Sequence, residues 1–142
     1  MAAVLAAGPN AVLSHGGAAQ LWGIRGLRGP IEVTRVSGHH RPHGIRLHQT
    51  RLLPVEHTTV EIGIPVTSIE RTFLDNAARL DERQMEHDLI AADRSGRLHW
   101  EVLWRLVPEH GRGRRGVRRF KQVMLRSDPR FSDAVLRWRL TS

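Results

Sequence analysis

The clearest structural signal in this sequence is the run Gly63-Ile-Pro-Val-Thr-Ser-Ile-Glu-Arg-Thr-Phe-Leu-Asp75. Gly63 suits a turn position with a positive φ angle, because it has no Cβ atom to clash with the backbone. Ile64 and Val66 then alternate around Pro65, which has no N–H group to donate to a neighbouring strand. The run therefore predicts a turn followed by an edge strand or the first residues of one.

The second half of the same run predicts a helix. Thr67 stands three residues before Glu70, which is the spacing of a capping box at a helix start. One face of this helix is apolar and consists of Ile69, Phe73, Ala77 and Leu80. Another face carries residues spaced four apart that can form ion pairs along the helix, namely Arg71, Asp75 and Arg79.

Short alternating stretches before this run predict further strands. Residues 31–36 and 45–49 alternate between apolar and polar side chains, and residues 37–44 join them in a predicted hairpin. Residues 58–62 and 64–67 form a further pair. Because each strand has one apolar and one polar face, we predict an α+β fold. In it, a small antiparallel or mixed sheet of three or four short strands packs against helices.

Helix signals flank these strands. Residues 2–7 are typical of the end of a helix, and Ser14 is a suitable N-cap for a helix that ends at Trp22 and is followed by Gly23. Asp81 can cap a helix that ends near Gly96 and turns four side chains inward: Met85, Leu89, Ile90 and Ala92.

The C-terminal part of the chain is predicted to be helical. Apolar residues at helical spacing predict two helices here. The first has the apolar face Trp100, Leu103, Trp104 and Val107, and the second has Val117, Phe120, Val123 and Met124. Residues 108–116 form a hinge between these helices, and residues 131–140 predict a final short helix. We divide the chain into an α+β core domain, residues 1–110, and a basic helical C-terminal arm, residues 111–142.

Composition excludes several classes of protein. The chain has 142 residues, of which 40% are apolar, and it contains no cysteine. The missing cysteine excludes disulfides, thiolate zinc sites and cysteine nucleophiles. Because no apolar run reaches the roughly eighteen residues that a spanning helix needs, we predict a cytoplasmic protein without membrane contact.

The positive charge is concentrated in the C-terminal arm. Residues 1–110 contain twelve arginines and twelve acidic residues, so the whole net charge of +8 belongs to residues 111–142. Such an asymmetry favours contact with nucleic acid or another polyanion. A GC-rich genome explains why Lys121 is the only lysine, but not why acidic residues become rare after Glu109.

Three groups of residues suggest chemistry, and each has a plainer explanation. His39, His40 and His43, with His48 nearby, can bind a metal, but their loop lacks helical spacing and a nearby carboxylate. Ser14 and His15 are adjacent at a helix start, where we expect their side chains to diverge and Ser14 to cap the helix. The Asp81 helix carries four acidic residues, and two of them, Glu82 and Glu86, lie on one solvated face; the others are Asp88 and Asp93. We therefore predict no catalytic residue, no metal site and no cofactor.

Parts of the sequence resemble a bacterial family. These are Ala2-Ala-Val-Leu-Ala-Ala-Gly-Pro-Asn-Ala-Val-Leu-Ser-His15 with Ala18-Ala-Gln-Leu-Trp-Gly-Ile24, the run Gly63 to Asp75, and Gly113-Arg-Arg-Gly-Val-Arg-Arg119. Together they resemble the central region of AbiEi-type antitoxin-like proteins of type IV toxin–antitoxin systems, over residues 2–126. Such proteins often carry a winged helix-turn-helix before this region and a Vsr-like endonuclease domain after it. Neither domain has a counterpart in this sequence, which suggests a truncated protein.

The resemblance implies a regulatory function without catalysis. It implies a nucleotidyltransferase-like toxin as protein partner and a role in transcriptional regulation. The sequence itself favours DNA contact through the cationic residues of the arm: Arg112, Arg114, Arg115, Arg118, Arg119, Lys121 and Arg126. A solvated helix face or an acidic protein partner explains these charges equally well. Two alternative functions are a non-catalytic remnant of a Vsr-like endonuclease-domain protein and a stand-alone nucleic-acid-binding module.

Overall fold

The computed structural model describes residues 4, 7–25, 29–38 and 41–131. The chain divides into two compact units, Met1–Asn76 and Ala77–Ser142. The fold is α+β, as predicted, with a mixed five-stranded sheet and a helical C-terminal part. His39, His40 and most of the predicted helices at residues 2–7 and 131–140 lie outside the described residues.

The described residues of the first unit form the sheet and the helices on which it packs. Its strands are β1 (Val12–Leu13), β2 (Ile31–Arg35), β3 (Ile45–Gln49), β4 (Thr58–Glu61) and β5 (Ile64–Thr67). Its helices are α1 (His15–Leu21) and α2 (Ile69–Asn76), and a short 3₁₀ turn spans Val55–His57. The strands lie in the order β3-β2-β1-β5-β4. The sheet therefore has one strand more than the predicted maximum, because the two-residue strand β1 carries no recognisable alternation.

Strands β2 and β3 run parallel, so the predicted hairpin is wrong. Ile31 lies opposite Ile45 and Arg35 opposite Gln49, and residues 36–44 bring the chain back to the end of the sheet at which β2 began. The polar face of β2 is buried as well as its apolar face. Every residue of β2 after Ile31 is buried, because this strand lies between β1 and β3.

The hairpin between β4 and β5 confirms the predicted turn, and Pro65 stands second in β5, among the first residues of a strand, which is one of its two predicted placements. Ile62 and Gly63 have φ angles of 49° and 71°, as both central residues of a type I′ turn do. Strand β5 lies between β4 and β1 and is therefore internal. Pro65 lies opposite Val60, one position beyond the closing pair of the turn, where the N–H group points away from β4. The proline therefore costs that pairing no hydrogen bond.

The residue that caps the start of α2 is not the predicted one. The backbone N–H of Arg71 donates to Ser68 Oγ over 3.1 Å, so Ser68 is the capping residue. The Thr67 hydroxyl instead pairs with Thr72 Oγ1 at 2.8 Å. The predicted Thr67–Glu70 capping box is therefore wrong: the cap lies one residue later, and Arg71 rather than a Glu or Gln stands three residues after it. The predicted ion pair is present, with Arg71 Nε donating to Asp75 Oδ1 over 3.0 Å, and both side chains are buried.

The second unit consists of helices over the described residues 77–131. They are α3 (Glu82–Arg94), α4 (Trp100–His110) and α5 (Val117–Ser127). Asp81 caps α3 as predicted, and Gln84 completes a capping box. The predicted inward residues are buried except Ile90 and Trp104, and the apolar face predicted for α5 is buried. None of the described helices is long and apolar enough to cross a membrane.

The predicted hinge begins later than expected. Helix α4 continues through Pro108 to His110, and its last turn is closed by a 2.8 Å bond from the N–H of Gly111 to the carbonyl of Val107. The connection to α5 is therefore residues 111–116. The boundary predicted between residues 110 and 111 falls inside the second unit, because α5 packs against α3.

Candidate functional site

The structure places the predicted nucleic-acid-binding residues on one turn and one helix of the second unit. We call these side chains the cationic segment: Arg112, Arg114, Arg115, Arg118, Arg119, Lys121 and Arg126. Arg112, Arg114 and Arg115 lie in the turn before α5, and the others lie on α5. Arg114 and Arg115 precede the helix because Gly116, with a φ angle of 80°, forms the N-cap.

Two members of the cationic segment have partners within the protein. Arg119 Nη2 donates to the carbonyl oxygen of Leu80 over 2.7 Å. Arg126 Nη2 lies 3.4 Å from Glu82 Oε2 and 3.9 Å from Glu86 Oε2. Glu82 and Glu86 thus occupy a partly exposed helix face, as expected, and they offset the charge of Arg126.

The remaining cations lie around the start of α5. Arg112, Arg114, Arg115 and Arg118 are exposed, whereas Lys121 is half-buried. Within the described part of the chain, no carboxylate pairs with Arg112, Arg115 or Arg118. The first turn of α5 contains no acidic residue, and its N-cap has no capping side chain. Because helix N-termini carry partial positive charge, the backbone here adds to the attraction for an anion.

A second group of polar residues meets at the sheet of the first unit. We call it the His–Glu cluster: Ser14, His15, Glu32, Thr34 and His48. His48 Nε2 lies 2.6 Å from Glu32 Oε2, and the imidazole rings of His15 and His48 stack with centroids 3.7 Å apart. His15 Nδ1 lies 2.8 Å from Ser14 Oγ, which accepts a hydrogen bond from Thr34 Oγ1 over 2.7 Å.

The strand register assembles this cluster. Thr34 lies opposite His48 in the parallel β2–β3 pair. Side chains two positions apart on a strand share a face, so Glu32 joins them there. The N–H of Ser14 continues the pairing of β1 with β2 by donating to the carbonyl oxygen of Glu32 over 3.0 Å. Helix α1 begins at His15, immediately after this pairing. Ser14 and His15 therefore lie beside the polar face of β2.

The cluster corrects the prediction for Ser14 and His15. Their side chains converge instead of diverging, and Ser14 makes no side-chain capping bond although it occupies the N-cap position. The reason is the backbone of His15, whose φ angle of 53° is uncommon outside glycine. Asn76 Nδ2 donates to the His15 carbonyl oxygen over 3.1 Å and holds this conformation.

The structure also separates the predicted histidine group. His43 is exposed, and His48 meets His15 and Glu32 instead. The pattern that indicates the cluster is the alternation of polar residues in β2 and β3, but it does so only when the two strands are aligned in parallel.

Comparisons with known proteins leave the function to be argued from these two groups. No protein-family model matches the chain, and no functionally described protein matches it.

Proposed function

We propose that this chain is a non-enzymatic, antitoxin-like regulatory module that binds DNA through the cationic segment. The observation that carries the proposal is the set of exposed arginines at the start of α5. Arg112, Arg115 and Arg118 have no acidic partner among the described residues, and each can neutralise a phosphate. Since arginines on a turn and a helix end contact the phosphate backbone, we expect binding with little sequence preference.

Genome composition does not account for this arrangement. A bias towards arginine codons raises arginine everywhere in the chain, yet residues 1–110 balance their arginines with acidic residues. Only in the C-terminal arm do arginines lack that balance. The position of the unpaired charges, around an uncapped helix start, supports an external anionic partner over a solvated surface.

A protein partner is the second part of the proposal, and the resemblance suggests a nucleotidyltransferase-like toxin. Support comes from apolar side chains on the first unit that stay in solvent. Val55, Val60 and Ile62 are 83%, 64% and 81% exposed, and exposed apolar groups that form a contiguous patch often mark a protein contact. Strand β4 forms one edge of the described sheet, and an exposed edge can pair with a strand of another chain.

A cleft lies on the same unit. It has a volume of about 410 Å³, and its lining includes Val36, Leu53, Val55 and Pro65. Polar residues such as Asn10, Ser37 and Thr58 line it as well, and a cleft of this size can hold a side chain of a partner. The cleft therefore supports a protein contact on the first unit.

The absence of catalysis is part of the proposal, and the burial of Ser14 supports it. Ser14 is the one hydroxyl that touches a histidine in the His–Glu cluster, and it is 0% exposed. A nucleophile must reach the reacting atom of its substrate. The Ser14–His15 contact therefore serves the structure of the cluster.

Charge reversal tests the DNA contact. The variant R112E/R115E/R118E is compared with R83E/R94E/R105E, which reverses three exposed arginines elsewhere in the second unit. Both variants change the net charge equally. We expect the first to weaken binding to a mixed-sequence DNA duplex on the order of tenfold or more, and the second to change it far less. Equal losses would mean that only net charge matters and would contradict the proposed surface.

Co-purification with the product of the neighbouring gene tests the proposed protein partner. We expect it to encode a nucleotidyltransferase-like protein that co-purifies with this chain and is released by V60K/I62K. Arg41 and Arg51 are exposed residues of the same unit, so R41E/R51E is the control. A co-purified protein that both variants retain equally would contradict a partner site at β4.

A further inference from the structure

The His–Glu cluster carries an inference that is independent of the proposed function. One ligand atom from each of His15, Glu32 and His48 lies within 4.8 Å of the other two. We propose that these residues bind a first-row divalent transition-metal ion of the Zn²⁺ type.

The ligand atoms define the class of ion. Two imidazole nitrogens and one carboxylate oxygen form a set that suits Zn²⁺, Co²⁺, Ni²⁺ and Fe²⁺. Mg²⁺ and Ca²⁺ prefer ligand sets made of oxygen. With three protein ligands, a tetrahedral ion keeps its fourth position for water or another small ligand.

Buried hydroxyl groups orient one ligand. Ser14 is 0% exposed and Thr34 is 2% exposed, so the contacts among them and His15 are shielded from water. When His15 Nδ1 donates its proton to Ser14 Oγ, the lone pair of Nε2 is left for an ion. Metal-binding histidines usually have their second nitrogen held in this way, because the hydrogen bond fixes the tautomer and the ring orientation.

The carboxylate is placed where an ion would be strongly bound. The Glu32 side chain is 5% exposed, and burial of a carboxylate is unfavourable unless positive charge or hydrogen bonds compensate. Its Oε1 atom accepts a long hydrogen bond of 3.4 Å from the N–H of Gly16, and its Oε2 atom contacts His48. A divalent ion between Glu32 and the imidazoles would bring positive charge directly to this buried carboxylate.

Binding requires a ring to turn. The planes of the His15 and His48 rings differ by only 15°, and an ion must lie near the plane of each ring, about 2.1 Å from its nitrogen. Two nearly parallel rings cannot both satisfy that condition. His48 lies on the strand β3 at the end of the described sheet and its side chain is 29% exposed, so it is the ring that can rotate. The ion then replaces the direct His48–Glu32 contact and separates the stacked rings.

The test uses the full chain without an affinity tag, titrated with ZnCl₂ by calorimetry and with CoCl₂ by visible absorption. We expect one ion per chain and a Co²⁺ spectrum typical of nitrogen and oxygen ligands. His48→Gln removes this binding, and His43→Gln, which changes an exposed histidine outside the cluster, leaves it intact. Ser14→Ala keeps all three ligands and weakens the affinity about 10–100-fold.

Several results would overturn the proposal. Failure of the wild-type chain to bind stoichiometric Zn²⁺ is one, and equal binding by His48→Gln is another. A loss in His43→Gln as large as that in His48→Gln would place the ion elsewhere. Because His48 is partly exposed, its variant should fold, and circular dichroism checks this. Proton NMR provides a structural readout, since ring separation shifts the resonances of His15 and His48 together upon Zn²⁺ addition but leaves those of His43 unchanged.

Discussion

In the first unit, residues 1–76, charged and hydroxyl side chains lie in the interior beside apolar ones. In the second unit, residues 77–142, the described interior is apolar apart from Asp88 and Asp128. The first unit buries Arg71 against Asp75 and Thr34 against Ser14. The second surrounds Leu103, Phe120 and other apolar residues with exposed charges.

This difference separates two uses of charge. The buried charges of the first unit are held by partners within the unit and specify how its strands and helices meet. Arg112, Arg115 and Arg118 of the cationic segment are exposed and face no carboxylate in the described part of the chain, and we propose an external partner for them. The predictions below test each side of this contrast, beginning with the largest effect.

Loss of the buried ion pair should give the largest effect. Asp75→Asn leaves the buried guanidinium of Arg71 without its carboxylate, and breaking such a pair costs about 3–5 kcal/mol of unfolding free energy. The matched change in the second unit is Glu82→Gln, which removes an exposed partner of Arg126 and costs about 0–1 kcal/mol. Native-state hydrogen exchange, analysed separately for each unit, measures both values. Similar costs for the two variants would remove the contrast between the units.

The second unit should depend instead on close backbone packing. A Cβ atom at Gly116 would overlap the carbonyl group of Ala77, whereas Gly113 has nothing within 4 Å. Both glycines have positive φ angles, so Gly113→Ala reports backbone strain alone, about 1–2 kcal/mol. Gly116→Ala adds overlap of about 1–3 kcal/mol. Urea denaturation compares the two variants, and equal destabilisation would show that α5 tolerates displacement from Ala77.

Asp128 is a buried acidic residue of the second unit, and its contribution to stability should be lost at low pH. Burial on its own would raise the pKa of Asp128, but hydrogen bonds from Arg130 and Trp104 lower that pKa below its usual value. Asp128 therefore stabilises the folded state above about pH 4, and this contribution is lost as the pH falls through the lower folded pKa. We expect Asp128→Asn to be less stable than wild type at pH 7, with the difference shrinking in acid. A difference that stays constant with pH would contradict this account.

The smallest expected effect is a gain. Ile62 has a φ angle of 49° and is 81% exposed. A branched side chain is unfavourable at this φ angle, and because the side chain is exposed, little packing offsets that cost. Ile62→Asn places Asn before Gly63, the preferred pair for a type I′ turn, and should stabilise the first unit by about 1 kcal/mol. Thermal unfolding measures this gain. A loss of stability would mean that Ile62 packs within the unit.

The same contrast explains which features are predictable from sequence. Val117, Phe120, Val123 and Met124 recur with helical spacing, and all are buried as that spacing predicts. Residues 45–49 alternate and form β3 within the predicted bounds. Such patterns record burial directly, because each element turns one face to an apolar core.

The His–Glu cluster could not be predicted, because it depends on the direction of a strand. A hairpin closed by residues 37–44 pairs Val33 with His48 and places the imidazole on the wrong face. The parallel pair instead sets Thr34 opposite His48. The unusual backbone of His15 adds a second contact that no periodicity shows. Polar contacts between distant segments therefore escape sequence patterns, whereas the cationic segment, which is local, does not.

The salt dependence of DNA binding tests the central claim most directly. With Arg119 and Arg126 held by partners in the protein, the cationic segment has fewer cations for phosphate than its seven side chains suggest. Fluorescence anisotropy on a mixed-sequence duplex should show the logarithm of affinity falling linearly with the logarithm of salt concentration. For about four phosphates the slope is about −4, and it should approach zero in R112E/R115E/R118E. No binding at low salt, or an unchanged slope in that variant, would contradict the claim.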